Sequence, residues 1–242
     1  MHRRRHYIYP DTQTLVNAFV CEVNKFIRQA DKPENSLHIA ISGGNTPLAV
    51  FDQICRSTRK EDWSNVHLYW VDERCVPWDH DESNYGNARL RFIEPMELPA
   101  DQIHPINGEA EPGKEADRYA AMLAEHIPFE KGVPVFDWIW LGLGSDGHTA
   151  SIFPDQLELW GSDRSCVVTT HPETGQNRIS LTGGVINAAR RISFLVTGKS
   201  KAHVVNQIVM KEGNYLEYPA FYVTPQTNYL EWYLDMEATS WM

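Results

Sequence analysis

Cysteine is scarce: Cys21, Cys55, Cys75 and Cys166 are the four in 242 residues, and no two form a C-x-x-C pair. That spacing excludes a zinc site or a disulfide framework and reads as reduced thiols, as in a cytoplasmic protein. Long hydrophobic runs are missing as well. Nothing approaches the ~20 apolar residues of a membrane span. The start, MHRRRHYIYPDTQ, has a basic cluster but lacks the apolar core of a secretion signal. Basic charge is in deficit: 22 Lys and Arg against 32 Asp and Glu leave a net −10 with histidine neutral. Such a chain repels nucleic acid and anionic membrane, so neither is expected as a partner. An anionic substrate would need a local basic pocket to overcome that field. No repeat, low-complexity tract or Pro/Gly-rich linker divides residues 1–242, which favours one domain.

What the sequence has is ordinary globular composition, 42% hydrophobic and 22% charged, enough for one large core. Asp11 or Thr12 can cap a helix whose apolar positions Leu15, Val16, Phe19, Val20, Val23, Phe26 and Ile27 recur every three or four residues. The runs LHIAIS (37–42), VHLYWV (66–71) and FDWIWLGL (136–143) read as buried strands. CVVTT, RISLT and ISFLVTG are three more candidates. Helices are predicted over TPLAVFDQIC, 84–93, 114–126, 184–190 and 199–211, with a last helix from Thr227. The polar stretch 72–83 is expected to be a loop. Strands alternating with helices imply βαβ units and an α/β fold with a mainly parallel sheet. In such sheets the ligand crevice lies beyond the strand carboxyl ends, where the Gly-rich loops converge.

Three of those loops carry chemistry. Ser42-Gly43-Gly44-Asn45-Thr46 joins a strand to a helix start, an anion cradle of backbone N–H groups and short polar side chains. Asp72-Glu73-Arg74 follows VHLYWV directly, so all three charged residues are expected to face the crevice. The stretch 79–82 (DHDE) reads as an exposed loop rather than a metal site, and neither metal nor cofactor is expected. In the third loop Gly142, Gly144 and Gly147 satisfy the dinucleotide spacing G-x-G-x-x-G, but Asp146 would oppose a pyrophosphate and no acidic residue ends CVVTT. What remains is Asp146 and His148 on a glycine-flanked turn, and imidazole is the side chain suited to proton transfer near neutrality. Arg178 and Lys201 add cations. Gly198-Lys199-Ser200 fails as a P-loop, because Ser193 stands where its first glycine belongs.

Taken together, SGGNTP, VDERCVPWDHDESNYGNAR, LGLGSDGHTASIFP and RISLTGGVINAARRISFLVTGKSKA resemble the 6-phosphogluconolactonase family in order and spacing, over about Ser42 to Ala202. The resemblance implies a three-layer α/β fold with a Rossmann-like, mainly parallel sheet flanked by helices. It implies hydrolysis of 6-phospho-D-glucono-1,5-lactone, in the pentose phosphate pathway, without metal or cofactor. His148 is then the general base, Asp146 its orienting partner, and Ser42, Gly43, Gly44, Asn45, Thr46, Asp72, Arg74, Arg178 and Lys201 hold the sugar phosphate. Asn45 stands where that family commonly has Ser, and Asp155 where Gly often follows Phe-Pro. The related glucosamine-6-phosphate deaminases are the alternative, but their DEY and DGHIAFNEP patterns are not met at Arg74 or in TASIFP. A non-catalytic sugar-phosphate sensor is the third reading. The enzyme is expected to be a cytoplasmic monomer or weak homodimer.

Overall fold

The computed structural model describes residues 4–29 and 36–242, so the first three residues of the basic amino-terminal cluster lie outside the described residues. β1 (Arg4–Tyr9) leads into α1 (Thr12–Gln29). Asp11 starts that helix by accepting the Thr14 N–H on Oδ1 at 2.7 Å. Next come β2 (Leu37–Ile41), α2 (Asn45–Ser57), β3 (Val66–Trp70) and the three-residue β4 (Asp72–Arg74). α3 (Asn84–Ala88), a π-helical turn over Arg89–Ile93 and α4 (Glu94–Met96) follow without a break. β5 (Ile103–His104), α5 (Pro112–His126), and the hairpin of β6 (Phe129–Glu130) and β7 (Val133–Pro134) continue the chain. The remainder is β8 (Trp138–Leu141), β9 (Cys166–Thr170), β10 (Asn177–Leu181), α6 (Gly183–Ala188), β11 (Ile192–Val196), α7 (Ala202–Met210) and β12 (Leu230–Asp235).

Seven strands form one sheet in the order β1-β12-β11-β8-β2-β3-β5, and every neighbouring pair in it is parallel. Parallel strands covered on both faces read as unbroken apolar runs; β2, β8 and β11 are buried at every position. α1 lays its stripe on one face, where Phe19 meets Trp138, Trp140 and Tyr233 edge-on at 5.0–5.5 Å. On the other face Tyr119 of α5 donates its hydroxyl to the Trp70 carbonyl at 3.0 Å.

Four local expectations are corrected. The segment after Thr227 is not a helix but β12, inserted between β1 and β11. Its Glu231 and Asp235 mimic a helix's polar face, yet both are buried. Glu231 accepts from Arg191 Nε at 2.8 Å and Ser193 Oγ at 3.0 Å; Asp235 accepts from Ala238 N at 2.8 Å and Thr12 Oγ1 at 3.0 Å. The basic start, given no element from sequence, supplies β1. CVVTT and RISLT do not join the parallel sheet: β9 and β10 pair antiparallel with each other and with β4. The stretch 72–83 is therefore a loop only after Arg74.

At the amino ends of β2 and β3 a chain of histidine rings fills one sheet face. His38 Nδ1 lies 3.0 Å from the Tyr69 hydroxyl, and His67 Nδ1 lies 3.0 Å from His104 Nε2. Burial, reinforced by the charge each neighbouring ring would carry, pushes His38 and His104 down to about 4 from 6.5. The unfolded chain takes protons on these rings below about 6.5 and the folded one refuses them until about 4. Stability is thus full above pH 6.5 and lost as pH falls toward 4. The urea midpoint should decline over that window, and replacing His38 and His104 by Gln should flatten the decline; an unchanged slope contradicts this.

Candidate active site

From β2 the sheet is built outward in opposite directions, to β3 and β5 on one side and to β8, β11, β12 and β1 on the other. Loops leaving the carboxyl ends of β2 and β8 must separate there, and the gap between them is where α/β sheets hold ligands. A cleft of about 240 Å³ occupies that point, lined from the β2 loop by Ser42, Gly43 and Gly44 and from the β8 loop by Gly142, Gly144 and His148. The far wall comes from the small antiparallel sheet, through Asp72, Arg74 and Arg178, and Lys201 enters just before α7.

After β8 the chain makes a tight turn instead of a helix. Gly144 N donates to the His148 carbonyl at 2.8 Å, and Gly147 N to the Gly144 carbonyl at 3.1 Å. Within it Asp146 Oδ1 lies 2.7 Å from His148 Nδ1. A carboxylate can only accept, so Nδ1 carries a proton toward Asp146, and Nε2 is the nitrogen that accepts in the neutral ring. Burial raises the Asp146 carboxyl, but the hydrogen bond and charge of His148 outweigh it and the net shift is downward. The carboxylate is therefore ionised whenever the imidazole is at work.

The glycines of this loop serve the turn, not a pyrophosphate. A Cβ on Gly144 would fall 2.2 Å from His148 Nδ1 and 2.3 Å from Asp146 Oδ1. Gly147 has φ +88° and packs on the Tyr218 ring. A dinucleotide fingerprint must open a helix; here an isolated bridge, Thr149 to Ile152, follows. Ala150, at φ 51° in the cleft wall, adds the backbone strain often found at working sites.

On the far wall Arg74 and Arg178 are register partners of β4 and β10. Both Nε–H groups are buried without a hydrogen-bond partner, and among the described residues no carboxylate lies within 4.0 Å of either guanidinium. Burial, then the like charge of Arg74, pulls Arg178 below its usual value. Burial lowers Lys201 too, with Asp146 opposing it. Arg74 is half-buried, with Nη1 donating to the Glu82 carbonyl at 2.6 Å; with Arg178 and Lys201 it makes the local basic pocket that the acidic chain requires. Beside them Asp72 Oδ2 accepts from Ser151 Oγ at 2.6 Å.

Two predicted residues are not brought to the cleft. Asn45 is exposed on the first turn of α2, and Thr46 turns its hydroxyl to Thr197 Oγ1, 2.8 Å away. The cradle therefore offers backbone amides rather than those side chains. Ser42 lines the cleft but donates its hydroxyl to the Trp140 carbonyl at 2.8 Å. Asn84, Leu143 and Ala150 line the cleft and were missed as site residues. Asn84 had a signal: a Cβ on Gly43 would sit 1.8 Å from its Oδ1, so the paired glycines announce a close approach whose partner the sequence does not name. Asp155 lies in the first turn of a 3₁₀ helix, Pro154–Gly161, where no glycine-only backbone is needed. Among the described residues no group of three His, Cys, Asp or Glu could hold a metal.

Residues 10–232 match the family described as glucosamine-6-phosphate isomerases/6-phosphogluconolactonase. A 6-phosphogluconolactonase of Haemophilus influenzae is 43% identical over 204 residues, covering 84% of this chain and 86% of its own. One from Synechocystis is 38% identical over 238 residues, 95% of this chain and 97% of its own. The solved 6-phosphogluconolactonase of Trypanosoma brucei superposes with a TM-score of 0.89 at 28% identity, covering 99% of both chains. A monomeric glucosamine-6-phosphate deaminase, 19% identical with a TM-score of 0.79, shares the fold. The chain belongs to the glucosamine-6-phosphate isomerase/6-phosphogluconolactonase family. Gly144→Ala should leave a folded protein whose Asp146–His148 pair is pushed apart, with activity down at least about a hundredfold, the scale of general base catalysis; near-parental activity would contradict the packing described.

Proposed function

We propose that the cleft hydrolyses 6-phospho-D-glucono-1,5-lactone to 6-phospho-D-gluconate, the lactone-opening step of the pentose phosphate pathway. One observation carries the reading: an imidazole backed by a carboxylate shares a single cleft with three cations that, among the described residues, have no paired carboxylate. The cations and the Gly43 and Gly44 amides take the phosphate. Asp72 and Asn84 face the sugar hydroxyls. The same reading places the enzyme in the cytoplasm, where its four free cysteines stay reduced.

The lactone carbonyl is already activated, so the protein has only to position it and move protons. His148 Nε2 takes a proton from water as the oxygen bonds to C1, giving a tetrahedral oxyanion and an imidazolium stabilised by Asp146. Collapse breaks the bond from C1 to the ring oxygen, and the imidazolium returns its proton to that oxygen. The product acid then ionises in solvent.

His148→Gln removes the proton acceptor without disturbing the core and should lower kcat about 10²–10⁴-fold, with 6-phosphogluconate affinity near parental. A folded variant keeping more than half its kcat removes His148 from the mechanism. Charge-assisted hydrogen bonds contribute about 1.5–3 kcal/mol each, so lactone without phosphate should lose orders of magnitude in kcat/KM. Equal efficiency on plain gluconolactone would overturn the phosphate assignment, and steady ammonia release from glucosamine 6-phosphate would favour the deaminase.

A further inference from the structure

Glu73, expected at the crevice with Asp72 and Arg74, is buried behind them and does not line the cleft. It is 1% exposed, and among the described residues no cation lies within 4.0 Å of its carboxylate. Four donors converge on it instead. Oε1 accepts the N–H groups of Arg74 and Asn84, both at 2.8 Å. Oε2 accepts the Tyr85 N–H at 2.8 Å and the Ser83 hydroxyl at 3.2 Å. Three of these donors belong to the start of α3, where backbone N–H groups have no helical partner. The fourth belongs to β4. One carboxylate thus ties a strand to a helix ten residues further on.

What it ties together matters to the cleft. Arg74 and Asn84 both line it. Asn84 is held from two directions: its N–H by Glu73, and its Nδ2, which donates to the Asp72 carbonyl at 2.9 Å. Its Oδ1 fills the space left open at Gly43. Displacing the start of α3 would therefore move Asn84 against the phosphate cradle and loosen the strand that carries Arg74. A purely packing role would have been filled more cheaply by an apolar side chain, since a buried carboxylate is costly unless fully hydrogen-bonded.

We infer that Glu73 is a positioning residue for substrate binding, fixing Arg74 and Asn84 at the cleft wall through the start of α3. The inference rests on the assignment of the cleft to a sugar phosphate. It concerns affinity rather than chemistry, because the Asp146–His148 turn hangs from β8 and makes no hydrogen bond to Glu73.

Gln in this place keeps the shape but turns an NH₂ toward donors that need an acceptor. Glu73→Gln should raise KM for the phosphorylated lactone about tenfold or more and weaken 6-phosphogluconate binding, measured by calorimetry, by a similar factor, with kcat within about threefold. Coupling distinguishes positioning from loss of stability. In an Arg74→Ala, Asn84→Ala background the Glu73→Gln change should weaken binding less than about threefold further. Ser83→Ala, which removes one donor to Glu73 and with it the hydroxyl that accepts the Gly86 N–H at 2.9 Å at the start of α3, supplies the second reading if Glu73→Gln does not fold, and should raise KM a fewfold at constant kcat. A fall in kcat as large as the rise in KM, full additivity with the double variant, or an unchanged KM in Ser83→Ala overturns the proposal. A parent protein that binds 6-phosphogluconate but leaves the lactone intact contradicts the catalytic reading alone, and the calorimetric comparison still decides the role of Glu73.

Discussion

The site depends on one topological constraint: a parallel sheet whose strand order turns outward from β2, leaving β2 and β8 as neighbours with divergent loops. Parallel pairing brings both carboxyl ends to the same edge, and their loops cannot cover each other. The opening this creates is filled on one side by the Gly43-Gly44 amides and on the other by the Asp146–His148 turn. The small antiparallel sheet closes the third side, because β4 leaves the end of β3 after a single residue and pairs with β10. Catalytic and binding groups thus come from segments far apart in sequence, each held by a strand end in the rigid part of the molecule.

The cleft reverses the charge of the chain around it. A net −10 overall coexists with Arg74, Arg178 and Lys201 in a space where, among the described residues, no carboxylate pairs with them, while Asp72 Oδ2 accepts from Ser151. Such cations are costly to desolvate, and an arriving dianion repays that cost through charge-assisted hydrogen bonds. Elsewhere buried charge is satisfied internally, as by Arg191 and Glu231 at 2.8 Å. The contrast between a closed pair and open cations separates structural charge from ligand-seeking charge.

Much of this was legible in the sequence because the central strands are covered on both faces. β8 leaves an unbroken apolar run and β2 and β3 are interrupted only by His38 and His67, so the polar loops after them stood out. β12 was misread because its two acidic residues are buried with internal partners, and a sequence does not say whether a carboxylate faces water or an arginine. β4 was hidden because three charged residues in a row look like a solvated loop, although two of them are buried. At the site, the turn chemistry of Asp146 and His148 was readable from glycine spacing. Asn45 and Thr46 were over-read, since a helix start that presents amides needs no help from its side chains. Asn84 escaped notice and Glu73 was expected to face the crevice, because the roles of both exist only when α3 folds back on β4.

The most direct test is a crystal structure with 6-phospho-D-gluconate bound. The account predicts one ligand at the junction of β2 and β8, its phosphate within hydrogen-bonding distance of Arg178, Lys201 and the Gly43-Gly44 amides. Its carboxylate, which stands where the lactone carbonyl was, should lie within one water of His148 Nε2. A phosphate seated away from those cations, or a carboxylate out of reach of His148, would contradict it.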